Sequence, residues 1–407
     1  MTGAANNKAQ RSELAHKYPE TPAPFNAPPN KVSPPVHETP EVAQQEEGLH
    51  WAEILNRLVV AQDLTAAQTQ WAMNEVMSGT VTPARLAGFL MGLRAKGETV
   101  AELNGLAEAM LTHATRIDVP GRTVDIVGTG GDRAGTVNIS TMAAIVLAGA
   151  GLTVVKHGNR AASSRSGSAD VLEALGIRLD HTPQRVAEIA AEAGITFCFA
   201  ATFHPSMRHA GAARKELGIP TAFNFLGPLT NPAQTAAAAV GSADARMAAL
   251  MAGVFAARGT SALVFRSDDG LDELAPTAAA TIWEVVPRFG SADGGEPLGT
   301  VVEHRVDPVA DLGLAPAIVA DLRGGDAVEN AAVALAVLDG SNQDAIRQTV
   351  LLNAAAALVA DGTLPGTEAS SGTIVERLRS GLDIAAAAID DGRALKALAN
   401  WQAASAK

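Results

Sequence analysis

Cysteine is nearly absent from this chain: Cys198 is the only one in 407 residues. That excludes an internal disulfide framework and suits a reducing, cytoplasmic compartment. Cys198 sits in the apolar run 195–201 and reads as core filler rather than as a reactive thiol. Aromatic residues are few, with four Trp and one Tyr, so Ala, Leu and Val must build most of the core. Heavy Ala use favours helices, because Ala loses no side-chain entropy on entering one. Positive charge is scarce too: 31 Lys and Arg stand against 43 Asp and Glu, a net charge of −12. This argues against a nucleic-acid partner, whose phosphates must be neutralised over a broad surface. A phosphorylated small molecule needs only a local basic pocket and stays open. Long hydrophobic runs are missing as well. The longest, 142–155, is broken by glycines and falls short of the ~20 residues a membrane span needs. The N-terminus starts with polar residues and offers no apolar signal-peptide core. The expectation is a soluble protein with no membrane partner.

The length allows two domains. Residues 1–48 are rich in Pro, Asn, Gln, Glu and Ala and include the stretch KVSPPVHETPEV. Such a composition buries too little apolar surface to offset ordering entropy, so a flexible extension is predicted. Residues 49–118 read as a small all-helical domain. Trp51, Ile54, Leu55 and Leu58 mark one helical face, and Leu86, Phe89, Leu90 and Leu93 mark another. Thr65 and Thr82 are candidate N-caps, the second followed by Pro83, and Gly79 and Gly97 are candidate stops. From 119 to 407 the pattern becomes α/β. Strand candidates at 124–127, 153–155, 195–200 and 263–265 alternate with helix candidates such as 183–193 and 243–257. Strands separated by helices imply a mainly parallel sheet.

Four stretches carry chemistry. The first is DIVGTGGDRAGTVNIST, 125–141, in which a strand runs through Gly128, Gly130, Gly131 and Gly135 into a helix starting near Asn138 or Ser140. Glycines let backbone amides approach a ligand, and a helix N-terminus favours an anion; an ordinary strand-to-helix turn is the plainer alternative. The dinucleotide pattern fails because Arg133 holds its last glycine position, and no Gly-Lys-Ser/Thr completes a P-loop. The second, VVKHGNRAASSRSGSADVLEALG at 154–176, gathers Lys156, His157, Arg160 and Arg165 with Ser163, Ser164, Ser166 and Ser168 just after a strand. Cations and hydroxyls leaving the carboxyl end of a parallel strand suit a polyphosphate, whereas a solvated loop explains the charges alone. The third, SDDGLDELAPT at 267–277, puts Asp272 and Glu273 at the same sheet edge, where they could hold Mg²⁺ through oxygen ligands or be merely solvated. No Thr-Thr-Gly loop follows Asp268 and Asp269, unlike the class I phosphoribosyltransferase signature. The fourth, ATFHPSMRHAGAARKELGIPTAFNFLGPLTNP at 201–232, names no function by composition.

In this order the four stretches resemble the anthranilate phosphoribosyltransferase family, from about Trp51 to the C-terminus and most strongly over 125–231. The resemblance implies a small helical domain joined by a hinge to a larger α/β domain in the nucleoside-phosphorylase-like arrangement, usually as a homodimer. It also implies that part of 204–232 returns to the helical domain. It implies transfer of the phosphoribosyl group of phosphoribosyl pyrophosphate (PRPP) to anthranilate in tryptophan biosynthesis. The residues it assigns to PRPP are Gly128, Gly131, Asp132, Thr136, Asn138, Ile139, Ser140, Thr141, Lys156, His157, Gly158, Asn159, Arg160, Ala161, Ala162, Ser163, Ser164 and Ser168. Gly128, Asn159 and Arg214 would touch anthranilate, and Ser140, Asp272 and Glu273 would bind Mg²⁺. No general base is assigned, although His157 and His204 are titratable. The extension and a glycine-rich insertion around 291–300 match nothing in the family pattern. A pyrimidine nucleoside phosphorylase of the same fold, or a non-catalytic nucleic-acid-binding relative, are the competing readings.

Overall fold

The computed structural model describes residues 49–161, 165–288 and 298–407. The extension at 1–48, Ala162, Ser163, Ser164 and residues 291–297 of the insertion lie outside the described residues.

Four helices come first: α1 (Trp51–Val59), α2 (Ala66–Met77), α3 (Pro83–Lys96) and α4 (Val100–Thr112). Each begins on a side-chain cap. Thr65 and Thr99 form capping boxes with Gln68 and Glu102, Thr82 caps α3 ahead of Pro83, and His50 caps α1. Such caps contribute about 1 kcal/mol each. Gly97 ends α3 with a φ of 91°. The apolar faces legible in the sequence are buried, and Trp51 meets Phe89 edge-on at a centroid distance of 5.6 Å.

The chain then alternates strand and helix: β1 (Thr123–Gly128), α5 (Ile139–Gly149), β2 (Thr153–Gly158), α6 (Ser168–Ala174), α7 (Pro183–Ala193) and β3 (Ile195–Phe199). The short helices α8 (Ala200–Phe203), α9 (Arg208–Leu217) and α10 (Phe223–Leu226) lead to β4 (Ala237–Gly241), α11 (Ala245–Arg258) and β5 (Ser261–Ser267). Next come β6 (Ala280–Pro287), β7 (Gly299–Val306), α12 (Ala327–Leu338), α13 (Ala345–Asp361), α14 (Ile374–Asp390) and α15 (Arg393–Ser405). The seven-stranded sheet has the order β3-β2-β1-β4-β5-β6-β7. Neighbours from β3 to β5 are parallel, while β6 is antiparallel to β5 and β7 to β6. The mainly parallel α/β architecture therefore holds, with an antiparallel edge that the sequence reading did not contain.

Three local differences have physical causes. β2 continues to Gly158, so Lys156 and His157 are strand residues, laddered against Phe197 and Cys198, and not part of the following loop. β3 stops at Phe199, where α8 begins. β4 is AAAVG, which lacks the usual β-branched run but is buried throughout and paired on both sides. Helices lie on both faces of the sheet. On one, α5, α13 and α15 share a core in which Ala354 to Ala357 are each fully buried. On the other, α11 and α10 join the residues of α1 to α4 and the sheet residues Val240, Val264 and Trp283 in a continuous core. α9 packs against α2 and α3.

The parallel strands bring the ends of β1, β4 and β5 to one edge. There the chain after β5 crosses so closely over β4 that a Cβ on Gly241 would overlap the backbone carbonyl of Asp272. Gly241→Ala should therefore lower stability in urea by about 1–3 kcal/mol. Gly211→Ala, in open space on α9, should leave it unchanged or slightly raised. Equal midpoints for the two variants would show that the crossing is not a tight one.

Candidate active site

The loop after β1 is built from backbone with little packing. Gly130 and Gly131 take φ values of 72° and 95°, a region closed to most side chains. Thr129 N–H donates to the Gly241 carbonyl at 2.9 Å, and Gly130 N–H donates to Asp272 Oδ2 at 2.6 Å. Asp132 Oδ1 accepts the Ala134 N–H at 3.1 Å. The loop ends at Asn138, the N-cap of α5, which gives that helix no side-chain cap. Ile139 and Thr141 N–H turn back on the Val137 and Asn138 carbonyls, so among the described residues the Ser140 N–H is the first-turn amide left at the positive end of the helix dipole, where an anion is favoured.

Three carboxylates face this loop. Asp272 and Glu273 are buried, and a Cβ on Gly128 would overlap the Asp272 carboxylate. Burial, followed by the charge of Asp132, pushes the Asp272 carboxyl up to about 7. Glu273 is held well above its ordinary range by burial and then by Asp272 and Asp132. Asp132 Oδ2 is buried and, among the described residues, meets no donor other than a proton shared with the Asp272 carboxyl. The cation beside them is Lys156, fully buried, whose Nζ donates to the Ile126 carbonyl at 2.6 Å and to Ser140 Oγ at 3.1 Å. Burial lowers its pKa to about 8, against the pull of Asp125 and Glu273.

His157 points the other way, as strand alternation requires. Its Nδ1 bonds the Gly227 carbonyl at 3.1 Å, and His204 Nε2 bonds the Thr230 carbonyl at 3.0 Å. A carbonyl only accepts, so those ring nitrogens carry the proton. The two rings lie 5.0 Å apart. Burial drives the His157 pKa down to about 3, with His204 adding to the fall, and burial lowers His204 to about 4. Asn231 fixes this segment to the sheet by donating to Asp125 Oδ2 at 2.8 Å and to the Val155 carbonyl at 2.7 Å. Nearby on the chain, half-buried Arg214 lies over the Phe223 ring at 5.1 Å and has no carboxylate partner among the described residues.

Two family models match the chain: the "Glycosyl transferase family, a/b domain" over residues 120–395, and the "Glycosyl transferase family, helical bundle domain" over 52–114. The anthranilate phosphoribosyltransferase of Streptomyces griseus is 57% identical over 90% of this chain and 98% of its own length. That of an Arthrobacter species is 54% identical over 90% and 99%. The chain belongs to the anthranilate phosphoribosyltransferase family. Among solved structures, the family member from Thermus thermophilus superposes with a TM-score of 0.77 at 37% identity, covering 87% of this chain and 99% of that one. The Saccharomyces cerevisiae member, in complex with PRPP and Mg, gives 0.75 at 25% identity over 88% and 98%.

Set against the residues the family resemblance implies, the structure gathers Gly128, Gly131, Asp132, Asp272 and Glu273 around one loop, with Ser140 tied to Lys156. Thr136 pairs with Arg323, while Ile139 and Thr141 are buried in the first turn of α5. Gly158 ends β2, and Ser168 opens α6 beside it. Arg160 is not a free cation: it pairs with Asp170 at 2.9 Å and with Glu173 at 2.6 Å. Asn159 Oδ1 accepts the Arg160 N–H, and Ala161 N–H donates to Asp170 Oδ2. Asp170 also accepts the Gly167 N–H, so it shapes the loop. It was passed over in the sequence, as were Asp125 and Asn231; the Asn within GPLTNP was the available signal.

The neutral histidines set a pH dependence. Their ordinary pKa is 6.5 and their folded values are near 3 and 4, so as pH falls below 6.5 the unfolded chain takes up protons that the folded chain refuses. Their stabilisation is full above 6.5 and is lost on acidification, by up to about 1.4 kcal/mol per pH unit each. The stability advantage of wild type over His204→Gln should shrink by about 2 kcal/mol between pH 7 and pH 5. A constant difference in urea titrations would contradict burial of a neutral ring.

Proposed function

We propose that this chain transfers the phosphoribosyl group of PRPP to the amine of anthranilate, giving N-(5-phosphoribosyl)anthranilate and pyrophosphate in tryptophan biosynthesis. The observation that carries the reading beyond family membership is the pairing of two complementary features. One is an uncapped helix N-terminus behind a glycine loop, suited to phosphates. The other is Arg214, half-buried over Phe223 and without an acid partner among the described residues, suited to an aromatic carboxylate.

Gly128, Gly131, Asp132, Thr136, the first turn of α5 from Asn138 to Thr141, residues 156–164 and Ser168 would hold PRPP. Gly128, Asn159 and Arg214 would hold anthranilate. Residues 49–118, with part of 204–232, would form one lobe and 119–407 the other.

The donor set fits Mg²⁺. Asp132 and Asp272 act on each other, and both act on the buried Glu273, so three acids lie close together. No group of three or more His, Cys, Asp or Glu side chains among the described residues is arranged to hold a metal. Mg²⁺ commonly takes only one or two carboxylates, completing its shell with water and substrate phosphate. Ser140, Asp272 and Glu273 are the residues we assign to it. When bound, the ion would offset charge on the departing pyrophosphate.

The protein's own part is positioning and electrostatics. The α5 N-terminus and Lys156 stabilise the growing negative charge of the leaving group, since fixed dipoles at a water-poor edge need no reorganisation. Arg214 holds the anthranilate carboxylate and thereby aims the amine. No side chain is assigned as the proton acceptor; the carboxylate of the substrate is within reach of its own amine. We also propose a cytoplasmic homodimer. Exposed Val59 and Met91 on the packed helices α1 and α3, with Val60 just after α1, support an interface there.

Anthranilate fluorescence should fall on adding PRPP with Mg²⁺, and thymidine with phosphate should release no base; the reverse outcome selects the nucleoside phosphorylase. Arg214→Ala should raise KM for anthranilate about 10- to 100-fold, the worth of a charged hydrogen bond, and barely move KM for PRPP. Equal rises would remove Arg214 from its role. Asp272→Asn with Glu273→Gln should raise the Mg²⁺ concentration for half-activity by about tenfold or more, and an unchanged metal titration would take both out of the site.

A further inference from the structure

Asn330 lies in the first turn of α12, is 3% exposed, and belongs to none of the four chemical stretches. Its Oδ1 accepts the Gly325 N–H at 2.7 Å, and its Nδ2 donates to Asn138 Oδ1 at 2.9 Å. Asn138 Nδ2 donates in turn to the Ser166 carbonyl at 3.2 Å. Backbone groups fix the direction of this relay. An N–H at one end must meet an oxygen, and a carbonyl at the other must meet an NH₂, so neither amide can flip without losing its bonds. The relay joins the turn before α12, the N-cap of α5 and the segment leading into α6.

The same stretch grips the glycine loop through its backbone. Gly324 N–H donates to the Gly135 carbonyl at 2.9 Å, Val137 N–H donates to the Leu322 carbonyl at 2.9 Å, and Thr136 and Arg323 form an antiparallel bridge between these bonds. A Cβ on Gly324 would stand 3.0 Å from the Thr136 carbonyl oxygen, so the two backbones are in contact. Gly130, Gly131 and Gly135 have open space around them. Thr129 and Gly130 are tied to Gly241 and Asp272 at the start of the loop, and at its end Val137 is buried in the core; between these anchors, the bonds from 322–330 are what fix Gly135 to Val137.

We propose that residues 322–330 form a strap that positions the phosphate-binding edge, with Asn330 as its positioning residue acting through Asn138. Asn330 sets the orientation of the Asn138 amide and the spacing between the glycine loop and the segment before α6. Its effect is on PRPP rather than on anthranilate, and that consequence rests on the reading of function above.

The test uses Asn330→Asp, which is isosteric, keeps the acceptor for Gly325 and sets an oxygen against Asn138 Oδ1; Asn330→Ala removes both bonds. Amide hydrogen exchange across 129–138 in the substrate-free protein should speed up about tenfold in Asn330→Asp, the loss expected from one buried hydrogen bond. KM for PRPP should rise about tenfold, with KM for anthranilate and kcat changed by less than about twofold. Combining Asn330→Asp with Asn138→Ala should be no worse than Asn138→Ala alone, because the Gly325 bond is kept and the remaining bond runs through Asn138. Unchanged exchange, equal rises in both KM values, or multiplying effects in the double variant would each overturn the proposal. If Asn330→Ala fails to fold, Asn330→Asp carries the test. If wild type does not join PRPP to anthranilate, the reading of function falls, while the exchange experiment still decides whether the strap orders the loop.

Discussion

Acidic charge kept away from water is the constraint around which the sheet edge is organised. Burying an ionised carboxylate without a partner costs several kcal/mol, yet Asp272 and Glu273 are buried beside Asp132 with Lys156 as the nearby cation. The protein meets that cost with backbone. Gly128 and Gly241 have no Cβ, so the chain carrying Asp272 can cross β1 and β4 at contact distance, and the Gly130 N–H reaches its carboxylate. What remains uncompensated appears as protons held to higher pH than a carboxyl ordinarily allows. Under the function proposed above, a bound cation would relieve the repulsion among these acids, in competition with the protons they hold.

The glycine loop shows the same economy. Its left-handed turns need glycine, and nothing stands where a Cβ on Gly130, Gly131 or Gly135 would lie, so those turns have little packing of their own. Order is imported from side chains and backbone far along the chain. Asp272 comes from after β5, and Asn330 lies 192 residues from Asn138. The order of the loop is thus a tertiary product, even though its motif is a local one.

That distinction explains what the sequence made legible. The helical bundle could be read because its signals are local: Thr65 and Thr82 cap where expected, and the apolar stripes of α1 and α3 are buried. The α/β alternation could be read for the same reason. β4 could not, since its alanines have no strand propensity and become a strand only between β1 and β5. Nor could the fate of the cations. In sequence, Lys156 and Arg160 are equivalent members of one basic run, but in the fold the first is sealed in the strand and the second is spent on Asp170 and Glu173. Asn330 was hidden because an asparagine at a helix start carries no mark of the partner it will meet, and Asn231 stood in a recognisable GPLTNP segment that did not reveal its partner Asp125.

Strand alternation at the end of β2 then accounts for the division of chemistry. Lys156 faces α5 and the acids, and His157 faces the 227–230 turn and His204. Desolvation acts on both, with opposite practical results. The lysine begins so far above neutrality that a pKa lowered to about 8 still leaves it charged at pH 7, whereas the histidines begin near neutrality and are driven uncharged. One burial effect therefore yields a cationic wall on one side of the strand and a neutral, partly aromatic wall on the other. Two consecutive residues of a single strand thus end in different charge states through the same desolvation.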